Sequence, residues 1–225
     1  MNFLSHFYFD RHNSDPNIVL GGVLPDLVKN ARKDWNFHPH KKEELFSGSG
    51  ERSILTGWKR HLTVDRHFHN SGFFKAHTSA LRTAIAPVLV NSPVRPSFVA
   101  HIALEIMLDS ILLTEDVINA NDLYKSLHQS DRFALQNFLE LNRMDDIAHF
   151  FKFFDNFLEA SYLSSYRESH NIMYAVKRIC MRVWPEPLSD TQILQLSAII
   201  LAYYEELQSV YIRIFEEIDS VLLES

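Results

Sequence analysis

Two segments of the chain place potential metal ligands four residues apart, in sets of three. The six residues are His61, Asp65, His69, His101, Glu105 and Asp109. Because residues four apart share a face of an α-helix, each set forms a stripe of imidazole and carboxylate groups. Nitrogen and oxygen ligands without thiolate suit Mn, Fe, Mg or Zn. The spacing therefore predicts metal-assisted chemistry, with buried or surface ion pairs as the alternative.

The second set is the more informative, because its neighbours from Ile102 to Leu113 are almost all apolar. A helix that is apolar nearly all round is buried. Ionisable groups on such a helix are costly unless they are coordinated or paired with opposite charge. The helix of the first set is more polar, so ordinary surface pairs are an alternative there. Its flanking bases, Lys59, Arg60 and Arg66, are candidates for binding phosphate oxygens or for a solvated face.

Two earlier residues are further candidates. His6 lies in the apolar run from Phe3 to Phe9, and Asp26 follows a Gly21-Gly22 pair and Pro25. Proline favours the first turn of a helix, so the sequence predicts a helix that begins near Pro25, with Asp26 at its N-terminus. The alternatives are a hydrogen-bonded core histidine and a helix cap.

The elements that position these residues are predicted to be helices. Pro96 opens a helix that extends to about Thr114, and Ser189 with Gln192 forms a capping box before a helix from about Asp190 to Leu223. No strand alternation or repeat is visible, and no glycine follows Gly72. We therefore expect an all-α, single-domain multi-helix bundle of eight to ten helices over residues 1–225, with an exposed loop or lid at 36–52.

Composition limits the function classes. The chain has 225 residues and a net charge of −6, which argues against a general nucleic-acid binder. Its single cysteine, Cys180, cannot form an intrachain disulfide. The N-terminus lacks the basic start of a signal peptide, and the longest late apolar stretch, Ile193 to Tyr204, is too short for a membrane span. A cytoplasmic protein is expected; the oligomeric state is left open.

Several short motifs together resemble the acyl carrier protein phosphodiesterase family. They are Met1-Asn2-Phe3-Leu4-Ser5-His6, the segment Gly21-Gly22-Val23-Leu24-Pro25-Asp26-Leu27-Val28, the spacing Gly57…His61…Asp65, the segment Asp109-Ser110-Ile111-Leu112, and Phe157-Leu158…Tyr166-Arg167. The matches are short pieces spread along most of the chain, and the first two are the most specific.

The resemblance implies an all-α fold related to HD-type metal phosphohydrolases. It also implies hydrolysis of the phosphodiester that joins 4′-phosphopantetheine to holo acyl carrier protein, with a divalent metal that is typically Mn. The metal and catalytic positions would be His6, Asp26, His61, Asp65 and Asp109. The residue pattern adds His69, His101 and Glu105 as ligands and Lys59, Arg60 and Arg66 as substrate-binding residues.

This chain departs from the family pattern at His69, where Asp is usual, and at Ser110, where His follows the aspartate. Gly22 and Pro25 also differ, and the region 36–52 is longer. These departures are consistent with a changed metal set or another substrate. Three hypotheses follow: a phosphodiesterase acting on acyl carrier protein, a metal hydrolase of phospholipids or nucleotides, and a non-catalytic helical interaction protein. In the first two, Asp65, His69 or Glu105 would accept the proton.

Overall fold

The computed structural model describes residues 2–224, and these residues are helical with no strand. The prediction of an all-α chain is confirmed, with eleven α-helices among the described residues instead of the eight to ten expected. Likeness to the HD-type fold stays a prediction. The chain forms two compact units, residues 2–65 with 118–164 and residues 66–117 with 165–224. The prediction of a single domain over 1–225 stays a prediction.

Unit 1 contains five whole helices and most of a sixth. They are α1 (Phe3–Tyr8), α2 (Pro16–Ala31), α3 (Ser49–Asn70, up to Asp65), α6 (Ala120–Gln129), α7 (Arg132–Leu141) and α8 (Ile147–Ala160). Helix α2 packs against α1, α6 and α8. The aromatic residues Phe150, Phe154 and Phe157 on one face of α8 are buried and form part of the core.

Unit 2 contains the end of α3 and five whole helices. They are α4 (Gly72–Ile85), α5 (Pro96–Thr114), α9 (Asn171–Cys180), α10 (Asp190–Gln208) and α11 (Ile212–Leu223). Helix α5 begins and ends where the sequence predicts, and it packs against α4, α9 and α10. In the part of the chain that the structure describes, α5 is the one helix long and apolar enough to cross a membrane, but 67% of its apolar window is buried in the protein. Buried core helices can have the same length and apolar composition, so α5 is only weak evidence for a membrane-spanning helix.

The predicted helix from Asp190 to Leu223 is two helices in the structure. The capping box at Ser189 and Gln192 is confirmed as the start of α10. Helix α10 ends at Gln208, and Tyr211 precedes α11. In the break, the Ser209 hydroxyl donates to the carbonyl of Glu206, and such local bonds compete with the helical ladder.

Two other predicted boundaries are wrong. Helix α2 begins at Pro16, where Asp15 caps it by accepting from the amide of Asn17, so Pro25 lies inside the helix. Proline removes one helical hydrogen bond and crowds the carbonyl four residues earlier, but α2 continues through it, supported by its packing against α1, α6 and α8. The predicted loop at 36–52 contains two short 3₁₀ helices, Pro39–Lys41 and Glu43–Leu45, and ends at Gly48 because α3 begins at Ser49.

Two glycines, Gly21 and Gly57, let α2 and α3 approach backbone to backbone, and Gly22 makes room for the side chain of Asp10. A β-carbon on Gly21 would lie 2.1 Å from the carbonyl oxygen of Ile54, and one on Gly57 would lie 2.0 Å from that of Ile18. A β-carbon on Gly22 would lie 2.7 Å from the carboxylate of Asp10. Larger residues would force the helices apart, so the glycines set the distance across which the side chains of α2 and α3 meet.

Candidate metal centres

The first centre brings together three residues that lie far apart in the sequence. His6 on α1, Asp26 on α2 and His61 on α3 each offer a ligand atom, and these atoms all lie within 4.8 Å of one another. Both histidines are buried, and Asp26 is half-buried. Their placement within unit 1 means that helix packing, and not sequence proximity, assembles the group.

The orientation of both imidazoles in this first centre is fixed. The His6 and His61 rings stack with centroids 3.8 Å apart. Nδ1 of His61 lies 2.9 Å from the carbonyl oxygen of Gly22. Because a carbonyl can only accept, Nδ1 carries the proton and Nε2 keeps the lone pair that a metal would use. A histidine held by its second nitrogen is the usual arrangement around protein-bound metals.

The second centre lies in unit 2 and consists of His69, His101 and Glu105. Nε2 of His69 lies 3.2 Å from Nε2 of His101, and Oε1 of Glu105 lies 3.4 Å and 3.1 Å from those two nitrogens. Burial would raise the pKa of Glu105, but nearby positive charge and the hydrogen bonds of both imidazoles hold this pKa well below its usual value. Glu105 is therefore a carboxylate at neutral pH.

The two remaining acids of the predicted set belong to neither centre. Asp65 is half-buried on α3 in unit 1, and Asp109 is fully buried on α5 in unit 2. The prediction that Asp65 and Asp109 are metal or catalytic residues stays a prediction.

Two of the three basic residues predicted to bind substrate form ion pairs within the protein. Lys59 forms an exposed ion pair with Glu43, with the charged atoms 2.9 Å apart. Arg60 pairs with the buried carboxylate of Asp10. Burial raises the pKa of Asp10, and Arg60 partly offsets that rise. Arg66 is exposed at the unit 2 end of α3.

Ser110, where the family pattern has histidine, has a structural contact. Its hydroxyl donates to the carbonyl of Tyr166 at 2.6 Å and is fully buried. This bond ties α5 to the Tyr166-Arg167 segment that the resemblance also includes. The departure therefore replaces a potential ligand with a core hydrogen bond.

The sequence interpretation missed a basic cleft that His101 lines in unit 2. Its other lining residues are Phe74, Lys75, Thr78, Ser79, Arg82 and Ser97, and its volume is about 310 Å³. Lys75, Ser79 and Arg82 recur at intervals of three and four on α4, so helical spacing could have indicated this face.

Comparison with known proteins adds no relative: no protein family, no curated protein and no solved structure matches this chain.

Proposed function

We propose that this protein is a metal-dependent phosphodiester hydrolase with its metal centre at His6, Asp26 and His61. The observation that carries the proposal is their convergence within 4.8 Å. Each residue comes from a different motif of the resemblance to acyl carrier protein phosphodiesterases. Nothing in the spacing of these motifs requires them to meet, so their convergence supports a shared chemical role.

The residues of unit 1 have distinct parts in this proposal. Nδ1 of His61 donates to the Gly22 carbonyl, so Nε2 would be the nitrogen that binds the metal, and the stacked ring of His6 lies beside it. Asp26 contributes charge. A divalent ion bound there, Mn by the resemblance or else Fe, Mg or Zn, supplies Lewis acidity and lowers the pKa of a bound water.

Asp65 is the proton acceptor that we propose for this centre. It follows His61 by four residues on α3, which places both side chains on one helical face. The other two acceptor candidates, His69 and Glu105, belong to the second centre. Asp109, on the buried helix of unit 2, stays a proposed catalytic residue on the resemblance alone.

The proposed substrate is holo acyl carrier protein, and the proposed location is the cytoplasm. Lys59 and Arg60 already form ion pairs. Arg66 stays a proposed phosphate-binding base on the sequence pattern alone. A metal hydrolase with another phosphodiester substrate is the alternative.

The experiment incubates the protein and Mn²⁺ with holo acyl carrier protein and detects loss of the phosphopantetheine arm by mass spectrometry. Bis(p-nitrophenyl) phosphate serves as a general diester. We expect Asp26→Asn and His61→Gln to reduce the rate of hydrolysis by about 100-fold or more. Loss of a metal ligand should have a larger effect than loss of a residue that only hydrogen-bonds to a ligand. His128→Gln, an exposed histidine of unit 1, is the matched control and should keep the rate.

The outcomes separate the three hypotheses. Hydrolysis of the general diester without loss of the arm would favour the metal hydrolase of different specificity. A protein that hydrolyses neither, and whose stability is unchanged by Mn²⁺ or Zn²⁺, would refute both hydrolase hypotheses in favour of a helical interaction protein.

A further inference from the structure

The three ligand atoms of the second centre form a nearly equilateral triangle. The distances between Nε2 of His69, Nε2 of His101 and Oε1 of Glu105 are 3.1, 3.2 and 3.4 Å. In a tetrahedral zinc site with metal–ligand distances of about 2.0–2.1 Å, neighbouring ligand atoms are about 3.3–3.4 Å apart. The side chains thus already stand close to the spacing that one such ion requires.

Hydrogen bonds among these three side chains cannot satisfy all three sides of the triangle at once. Each Nε2 carries at most one proton, and Oε1 of the carboxylate carries none. If both nitrogens are protonated, both can donate to Glu105, but the two donors then face each other at 3.2 Å. If only one is protonated, one side has two lone pairs in contact. A cation between the three atoms uses all three lone pairs at once.

The surrounding residues fix this geometry. His101 and Glu105 are one turn apart on α5, and His69 reaches them from the end of α3. The ring of Phe74 packs edge-on against both imidazoles, with centroid distances of 4.9 Å to His69 and 5.0 Å to His101. Phe68, which is fully buried, packs against His69 from another side. The imidazoles are therefore oriented by packing before any ion binds.

The centre is open to solvent on one side. The side chains of His69 and His101 are 29% and 41% exposed, whereas that of Glu105 is 16% exposed. His101 also lines the basic cleft with Lys75 and Arg82. An ion can reach the centre without opening the core. Three protein ligands would leave the fourth position of a tetrahedral ion to water or an anion.

We propose that unit 2 has its own transition-metal site, in which His69, His101 and Glu105 bind Zn²⁺ and leave one position open. Two histidines and one glutamate with an open position form a known catalytic type of zinc ligand set. The inference uses residues of unit 2 alone and does not depend on the proposed hydrolysis.

The test titrates the chelator-stripped full chain with Zn²⁺ against a chromophoric chelator, and with Co²⁺ followed by visible absorption. We expect the intense bands of a four-coordinate Co²⁺ ion at this centre, and we expect them to persist in a His61→Ala variant, in which the first centre is disrupted. His101→Ala and Glu105→Gln should weaken Zn²⁺ binding by about 100-fold or more. Loss of a residue that only hydrogen-bonds to a metal ligand typically costs about 10–100-fold. His101→Cys, which retains a zinc ligand, should preserve tight binding and so distinguishes ligation from folding.

Two controls keep this result separate from the first centre. His67→Ala removes a histidine from the same stretch of α3 and should leave Zn²⁺ affinity unchanged. His61→Ala disrupts the first centre and should retain the Co²⁺ bands even if it abolishes hydrolysis. The inference is overturned if the bands of His61→Ala survive in a His61→Ala/His69→Ala/His101→Ala variant, or if they are lost in a folded His61→Ala protein.

Discussion

At the scale of single residues, several helix ends have left-handed conformations without glycine. Asp116, Arg143 and Ser161 have positive φ angles just after α5, α7 and α8, and Glu186 has one in the segment between α9 and α10. At Arg143 the φ is 59°, its amide donates to the carbonyl of Glu140, and the amide of Met144 donates to that of Leu139. This is the Schellman pattern, in which glycine usually occupies the position of Arg143.

Arg143→Gly should therefore stabilise the protein. The left-handed conformation costs an L-residue roughly 1–2 kcal/mol, and the greater freedom of glycine in the unfolded chain offsets part of the gain. We expect the free energy of unfolding in urea to rise by about 0.5–1 kcal/mol. Arg143→Ala, which removes the side chain but keeps the strain, should leave it nearly unchanged. Equal values for both variants would contradict this explanation.

At the scale of elements, the contact between α2 and α3 determines the first centre. Gly21 and Gly57 allow the backbones to touch, and the same contact brings His61 Nδ1 to the carbonyl of Gly22. Displacement of either helix would separate His61 from Asp26. The glycine motifs of the sequence thus contribute to the centre by their lack of a side chain.

Gly57→Ala should impair stability and metal binding together. Its β-carbon would lie 2.0 Å from a backbone carbonyl that cannot rotate away, and overpacking of this kind costs about 1–3 kcal/mol. We expect that loss in urea unfolding and a weaker Mn²⁺ affinity in calorimetry. Gly72→Ala is the matched control, because a β-carbon there meets no atom within 4 Å. A Gly57→Ala protein with unchanged stability and affinity would show that the close approach does not position the centre.

At the scale of the whole molecule, the carboxylate of Asp145 in unit 1 makes the free energy of unfolding sensitive to acid. Asp145 accepts from the indole nitrogen of Trp35 at 2.6 Å and from Arg32 at 2.9 Å. The Trp35 hydrogen bond, more than the pairing with Arg32, lowers the pKa of Asp145. A carboxyl group with a lower pKa in the folded state stabilises the protein above its unfolded pKa, and this contribution is lost as the pH falls through the folded pKa.

We therefore expect the free energy of unfolding to decline below about pH 4, the unfolded pKa of an aspartate. Asp145→Asn should make that decline shallower, because its side chain does not titrate. Asp122→Asn, an exposed residue in the first turn of α6, should keep the wild-type slope. The measurement is urea unfolding between pH 3 and pH 6 (a range of about one pH unit or more on each side of that pKa), followed by circular dichroism. Equal slopes for wild type and Asp145→Asn would contradict the role of this carboxylate.

Much of the fold could be predicted where local signals are strong. Pro96 and the capping box at Ser189 mark helix starts correctly, and the nearly continuous apolar character of α5 identifies it as core. The break after Gln208 and the turn at Arg143 were not predictable, since neither has glycine or proline. Pro25 misled the prediction because tertiary packing maintains α2 through a residue that usually interrupts a helix.

The candidate site was only partly predictable. Four-residue spacing does bring His101 and Glu105 into contact, because both lie on one helix. The contact of His69 with them, and that of Asp26 with His6 and His61, depends on how separate helices pack, and spacing within one helix carries no information about that. Nor could spacing reveal that Asp10 holds Arg60 in an ion pair.

The central claim is that His6, Asp26 and His61 bind a divalent ion, and equilibrium titration of Mn²⁺ tests it most directly. Binding is measured as the decrease of the free Mn²⁺ signal in electron paramagnetic resonance spectra. The proteins compared are the wild type, His61→Ala and the His128→Gln control. We predict saturable binding that weakens by about 100-fold or more in His61→Ala and is unchanged in the control. Equal Mn²⁺ affinity in all three proteins would contradict the claim.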